Sequence, residues 1–419
     1  MKNLGAMLKQ CLQILAVLYF CEISEATAQS DSTNEEVYVS SLSIKGLKRT
    51  RLSTAERALK KFIGIKADEI DTDDVIAAVL ATGILEPVSV EVVGSVLRVT
   101  VKEKWSIIPV PVFFTGAGET MGGVAFYDAN AFGLNDKFLV AGLIRTGGWV
   151  ATVGYTHASP GERIPGWNLM TTFSREDRYD RDQNKKTLRH FANDSLAISA
   201  AINFPLLKDS NLLVASALFS LNQKNLREKS KAYNGPEEDL RIFGSGLELA
   251  VDRSSWDGFF LCQESASIRY TYKTSFGEHS YHSVRFRSTY GKSIVPGFRF
   301  NMNTGLAYEP GVPVLFESPP SAAQVAILPR RFTARHLAGG SAGLEKYIFK
   351  FAFGTISATT AYHLAYSNGS ILGDSVDHGP VAMLVFYLNK IAIPAVGLGT
   401  AYNVAADHFQ FSFSVGMSF

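Results

Sequence analysis

The stretch Phe409-Gln410-Phe411-Ser412-Phe413-Ser414-Val415-Gly416-Met417-Ser418-Phe419 decides the fold. Phe409, Phe411, Phe413, Val415, Met417 and Phe419 alternate with small or polar residues. In an extended strand a period of two sends all the large apolar side chains to one face and the rest to the other. Such a strand needs an apolar phase on one side and water on the other, with an aromatic at the boundary.

The pattern recurs upstream. Leu196, Ile198, Ala200, Ile202 and Phe204 share one face, with Ser195, Ala197, Ser199 and Asn203 on the other. Val284, Phe286 and Tyr290 oppose Arg285, Arg287 and Thr289. Phe298, Phe300, Met302, Leu306 and Tyr308 oppose Arg299, Asn301, Asn303 and Gly305. Arginines on one side of strands about ten residues long fit a membrane barrel with a wet lumen. A soluble β-sandwich would explain the alternation, but not its combination with an export signal. The turns near Gly133–Asp136, Leu206–Ser210 and Val295-Pro296-Gly297 are short, whereas the links 177–193, 223–238 and 309–334 are long. Short and long connections alternate, as they do between the two sides of such a barrel. The spacing predicts about eleven strands before the longest link and about five after it, roughly sixteen in all, over residues 105–419.

The first residues read as an address. Lys2 and Lys9 precede an apolar stretch from Cys11 to Phe20, and Ala26-Thr27-Ala28 has the small-x-small form that signal peptidase cuts. Residues 1–28 are therefore expected to be a signal peptide and 29–36 a linker. The apolar stretch is about half the roughly 20 residues of a spanning helix. No later stretch reaches that length either, so a membrane crossing would have to be a barrel. Three cysteines, of which only Cys262 lies beyond the signal, exclude a disulfide scaffold. Forty-one basic against 39 acidic side chains, a net charge of +2, excludes a generally basic nucleic-acid binder.

Residues 37–104 read as strand, helix, helix, strand, strand. Ser53-Thr54-Ala55-Glu56 has the form of a capping box, and Asp71 is a second N-cap. Val88, Val90 and Val92, then Leu97, Val99 and Val101, alternate with polar residues. This segment resembles a POTRA (polypeptide-transport-associated) domain. The likeness is carried by Ile44-Lys45-Gly46 with Lys48-Arg49-Thr50, by Thr82-Gly83-Ile84-Leu85, and by the exit Val101-Lys102-Glu103-Lys104-Trp105.

A POTRA module before a barrel of this size resembles the outer-membrane protein-assembly and secretion superfamily, whose barrel half is the bacterial surface antigen domain. Asp128-Ala129-Asn130-Ala131-Phe132-Gly133 resembles that family's segment after the second barrel strand. The family's inward-folding loop carries Gly-Gly, three residues, then Val-Arg-Gly-Phe/Tyr. By spacing this falls on Gly339, Gly340 and then Leu344, Glu345, Lys346 and Tyr347, so the loop is expected over about 309–346. Glu345 replaces the family's arginine and Lys346 its glycine. The aspartate that pairs with the arginine would fall at Ser367, within Tyr366-Ser367-Asn368-Gly369. Removing one member of a buried ion pair strands a charge, at roughly 3–5 kcal/mol, whereas removing both can be nearly neutral. Glu345 is expected to hold the loop on a luminal arginine instead. Phe409, Phe411, Phe413 and Phe419 match the C-terminal signal for barrel insertion.

Other motifs carry less. Gly339-Gly340-Ser341-Ala342-Gly343 satisfies Gly-x-Ser-x-Gly, but a nucleophile elbow needs a strand-turn-helix context that is not legible here. The histidines form no His-x-x-x-His pair. The fold class expected is mainly β: a transmembrane barrel of about sixteen strands after one small α/β POTRA domain. The resemblance implies a monomeric, non-enzymatic protein of the bacterial outer membrane without cofactor, its POTRA domain in the periplasm. Its partners would be the lipid bilayer and extended exported polypeptides, which it helps into or across the membrane. The alternative is a passive channel or structural surface antigen of the same architecture.

Overall fold

The structure, a computed structural model, describes residues 37–116, 119–159, 164–181, 187–207, 210–229, 239–256, 260–275, 279–328, 332–352, 354–371, 373–388 and 395–415. The expected signal peptide lies outside the described residues.

Residues 38–104 form a three-stranded sheet with two helices. Strand β1 (Ser41–Lys45) pairs parallel to β3 (Val96–Glu103), which pairs antiparallel to β2 (Leu85–Val93). The helices are Leu52–Leu59 and Thr72–Ala81. Val75, Val79, Leu59, Leu97 and Val99 are among the buried residues of one core between helices and sheet. These are the apolar members of the helical stripes and alternating strands. The second helix is capped as expected, Asp71 accepting from the Asp73 amide at 2.8 Å. The first is not. Its N-cap is Arg51, which makes no side-chain cap, and the Thr54 hydroxyl donates instead to the Gly133 carbonyl at 3.0 Å. Because the helix starts at Leu52, Ser53 and Glu56 fall inside its first turns and not at the N-cap and third positions that a capping box needs.

Sixteen antiparallel strands follow: β4 (Ile107–Gly116), β5 (Glu119–Ala131), β6 (Asp136–Arg145), β7 (Gly148–His157), β8 (Gly166–Arg181), β9 (Thr187–Leu207), β10 (Ser210–Lys229), β11 (Leu240–Trp256), β12 (Leu261–Thr274), β13 (Ser280–Val295), β14 (Phe298–Tyr308), β15 (His336–Phe351), β16 (Gly354–Asn368), β17 (Ser375–Leu388), β18 (Ala395–Asn403) and β19 (His408–Val415). Each pairs with its sequence neighbours, so the sheet rolls into a barrel. Eleven strands precede the longest link and five follow it, as the turn spacing predicts. Among the described residues no helix is long and apolar enough to cross a membrane.

Two of the long polar links are shorter than their composition suggests. β8 and β9 pair as far as Arg181 and Thr187, and β10 runs on to Lys229. Ladder hydrogen bonds are made by backbone, so strands that extend into water keep their pairing while both faces turn polar. The link after β14 is a true excursion. The described residues of this link, 309–328 and 332–335, turn inward, and the strand resumes at His336 rather than after 346.

Candidate functional site

Three places bring chemistry-bearing side chains together. The first is the junction between the small module and the barrel. The Glu103 carboxylate, at the end of β3, accepts the backbone amides of Lys48, Arg49 and Thr50 at 2.9, 3.0 and 2.7 Å. Burial pushes the Glu103 carboxyl up, but the amides that bind its anion outweigh this and hold it below its ordinary value. With the loop so fixed, the Arg49 guanidinium reaches the Ser106 hydroxyl at 2.8 Å and both oxygens of Asp128 on β5. Asn130 donates to the Thr50 hydroxyl at 2.9 Å, and the Arg51 amide donates to the Gly133 carbonyl at 2.9 Å. Gly133 has φ +75°, and a Cβ there would lie 2.3 Å from the Arg49 carbonyl oxygen. Two segments singled out separately in the sequence, 48–50 and 128–133, are thus the two halves of one contact.

The second is the loop after β14, whose described residues, 309–328 and 332–335, lie inside the barrel. Glu309, fully buried, accepts from Ser283, Ser318 and Arg285 at 2.6, 2.7 and 2.9 Å, with Lys273 at 3.6 Å. Glu317 takes Thr333 at 2.8 Å and Arg189 at 3.4 Å. Lys224 on β10 donates to the Leu315 carbonyl at 2.5 Å. At the far side the Ala326 amide donates to His363 Nδ1 at 3.3 Å, and Asn403 donates to the Ile327 carbonyl at 3.5 Å. Ala322, Ala323, Val325, Ile327 and Leu328 pack on Ala307, Leu337, Ala365, Val381 and Ala401 of the wall. The residue-based reading missed Glu309 and Glu317. Their signal is present: they are the only carboxylates between residues 309 and 335, in a run otherwise apolar, small or basic.

The third is the wall behind that loop, where the structure places the residues expected in the loop itself. Gly339, Gly340, Leu344, Glu345, Lys346 and Tyr347 all lie in β15. Gly339 and Gly305 are paired across β14 and β15. A Cβ on Gly305 would meet the Ala323 backbone at 2.6 Å, and one on Gly339 would meet the Val325 side chain at the same distance. The glycines therefore mark where the wall must be bare for the loop to press on it, not the loop. Leu344 is exposed on the outer face, as is Lys346, and the Tyr347 amide donates to the Gly297 carbonyl at 2.8 Å.

Glu345 does sit on a luminal arginine, but both belong to the wall. It is opposite Arg299 in the ladder, and the two form a buried ion pair. Asn301 and Tyr387 donate to the carboxylate at 3.0 and 2.8 Å, and Ser357 also donates. Arg299 gives a further hydrogen bond to the Tyr387 oxygen at 2.7 Å. Ser367 is remote from this set. It lies opposite Leu337, eight residues along the β15–β16 ladder from Glu345 and Thr359, or about 27 Å at strand rise. Its hydroxyl meets Ser375 at 2.9 Å, while Tyr366 is exposed and Gly369 turns the chain at φ +72°. Glu345 and Ser367 are thus not two halves of one lost pair.

At the last strand, Phe409 is exposed and Phe411 half-buried; Phe413 lies in β19, and Phe419 is outside the described residues. β19 returns to β4 through three residue pairs, Gln410–Gly116, Phe411–Thr115 and Ser412–Phe114. The Gly-x-Ser-x-Gly run lies within β15, so the turn that a nucleophile elbow requires is not there. Among the described residues no group of three or more His, Cys, Asp or Glu could hold a metal ion.

No protein-family model and no curated protein sequence matches the chain. Solved structures do. The structure of BamA from Haemophilus ducreyi lacking POTRA domains 1–3 is 14% identical, with a TM-score of 0.54 over 92% of this chain and 86% of that one. CdiB from Acinetobacter baumannii is 13% identical, with a TM-score of 0.59 over 91% and 74%. CdiB from Escherichia coli is 11% identical, with a TM-score of 0.54 over 99% and 98%. The chain shares the fold of these BamA and CdiB structures. The likeness reaches past the barrel, since 99% of the chain is covered in the last case. At these identities it is a likeness of fold.

Proposed function

We propose that the chain is a closed outer-membrane barrel with one periplasmic POTRA domain, residues 37–104, acting as a monomer. It binds exported polypeptides in extended form and assists their insertion into or passage across the membrane, without catalysis. The observation that carries this reading is the short seam. Among the described residues β4 pairs with β5 through ten residues and β19 with β18 through eight, but the two pair with each other through three. Pro109 and Pro111 lie opposite Phe126 and Val124 of β5. A proline has no amide hydrogen, so it suits a strand edge without a full partner. An extended client strand could therefore pair along β4 without first breaking a long ladder.

The small module offers a second extended edge. In the order β1-β3-β2 no strand among the described residues pairs with the outer edge of β2, and its Val88 is 64% exposed beside a register shift. Such an edge receives strands of varied sequence because the hydrogen bonds are made by backbone.

The test is to tie the seam shut with Thr115→Cys and Phe411→Cys, which are registered partners. The oxidised protein is expected to stay folded in the membrane while other outer-membrane barrels fall in abundance, with recovery on reduction. Full function with the seam locked would overturn the reading. Depletion of the protein with no change in the outer-membrane proteome would instead support a passive channel.

A further inference from the structure

The inner wall from β11 to β13 carries more cations than carboxylates. Glu248, Arg269 and Arg285 lie side by side across three strands. Arg269 meets Glu248 at 2.7 Å, and Arg285 and Lys273 share Glu309. Like charges directly opposite in a sheet are unfavourable unless compensated, and these two carboxylates compensate the Arg269–Arg285 pair.

Arg287 has no such partner. It follows Arg285 by two residues and so faces inward with it. Among the described residues no carboxylate lies within ion-pair distance of Arg287. Its ladder neighbours are Ser267 on β12 and Gly305 on β14, neither of which can carry charge. Both are small, and Arg287 is left exposed to the interior. On β10, the strand next to β11, Lys224 directs its ammonium to the Leu315 carbonyl and the Phe316 ring, and among the described residues no ion pair joins it to a carboxylate. Among the described residues, the wall beside the internal loop therefore keeps a positive excess at Arg287. Water between walls of low dielectric focuses the field of such an excess, concentrating anions and excluding cations.

We propose that this lumen is an anion-selective passage and that Arg287 sets its selectivity. The inference rests on the barrel spanning a membrane, and it is independent of whether polypeptide is handled at the seam. The full chain is reconstituted in planar bilayers under a potassium chloride gradient. The wild type is expected to give a reversal potential of the chloride sign. Arg287→Gln should lower the chloride-to-potassium permeability ratio several-fold, and Arg287→Glu should invert it. Lys346→Gln, on the outer face, should leave it unchanged. Mobility of the unboiled protein in gels checks that each variant is folded, and Arg287→Gln decides the matter if Arg287→Glu does not fold. Cation preference in the wild type, an unchanged ratio in a folded Arg287 variant, or inserted protein that passes no current would each overturn the proposal. Failure of the chain to float with lipid vesicles would overturn the membrane reading along with it, whereas loss of the passage alone leaves the seam-locking test standing.

Discussion

Replacing Arg299 and Glu345 singly and together measures what the buried pair contributes. Glu345 is 1% exposed and Arg299 8%. Breaking such a pair from one side costs roughly 3–5 kcal/mol, because the charge left behind is neither solvated nor matched. The surroundings of the two residues make the two costs unequal. After Arg299→Leu, the Glu345 carboxylate keeps the donors Asn301, Tyr387 and Ser357, so the loss should fall near the lower bound. After Glu345→Leu, the guanidinium retains the Tyr387 oxygen and the faces of Phe260 and Tyr387 at 5.3 and 5.8 Å, while three donors lose their acceptor. That loss should fall near the upper bound. The double variant removes both charges but still leaves Asn301, Tyr387 and Ser357 without their acceptor, so it should cost about 5–6 kcal/mol, which puts the interaction energy of the cycle at about 2–3 kcal/mol below the sum of the singles. The assay is urea unfolding of the full chain in detergent micelles, read by tryptophan fluorescence and by the mobility of unboiled samples. Glu345→Gln, which keeps the acceptor oxygen and removes the charge, separates Coulombic loss from hydrogen-bond loss. Single effects that add within about 0.5 kcal/mol would show that the two residues do not act as a pair, and the account of this wall would be wrong.

The other expectations concern the loop and the junction. Gly305→Val places atoms where the Ala323 backbone lies, so a cysteine put in place of Gln324 should react faster with an impermeant maleimide; equal rates with and without the valine would mean that the loop is not seated by the bare wall. Glu103 has a folded-state pKa below its ordinary value of 4.5, so its contribution is complete above that value and is lost as pH falls through the lowered one. Hydrogen exchange at the amides of Lys48, Arg49 and Thr50, corrected for intrinsic rates, should accelerate only in that acid window, and flat protection down to pH 3 would count against the carboxylate. Gly133→Ala demands a left-handed alanine, at roughly 1–2 kcal/mol, and sets its methyl against the Arg49 carbonyl. Limited trypsin should then cut faster after Lys104, and unchanged cleavage would show that the junction does not depend on this approach.

Strand period, strand number and the place of the longest link were all legible in the sequence. A period of two has only one geometric meaning for a long run, and Gly, Pro and polar clusters mark where runs stop. The order strand-helix-helix-strand-strand of the module was legible for the same reason. What failed was local pattern read without its surroundings. The capping box at 53–56 is not formed because the helix starts earlier, at Leu52 after Arg51, where the Arg51 amide and the Thr54 hydroxyl are both held by the distant Gly133 carbonyl. The polar stretches after Asp177 and Gln223 read as loops, because polarity marks contact with water and says nothing about backbone pairing.

The candidate site divides in the same way. By itself the sequence determined that a two-faced β wall exists, that arginines line its wet face, and that a small α/β module precedes it, since each follows from the spacing of neighbouring residues. Only the tertiary structure decided which residues meet. It set Glu345 against Arg299 in the wall, placed Glu309 and Glu317 as the anchors of the inner loop, put Gly305 and Gly339 beneath that loop, and left Arg287 with no carboxylate at ion-pair distance among the described residues. The reason is physical: these partners lie on different strands, and the register that brings them together is fixed by the whole rolled sheet, which no local window of sequence encodes.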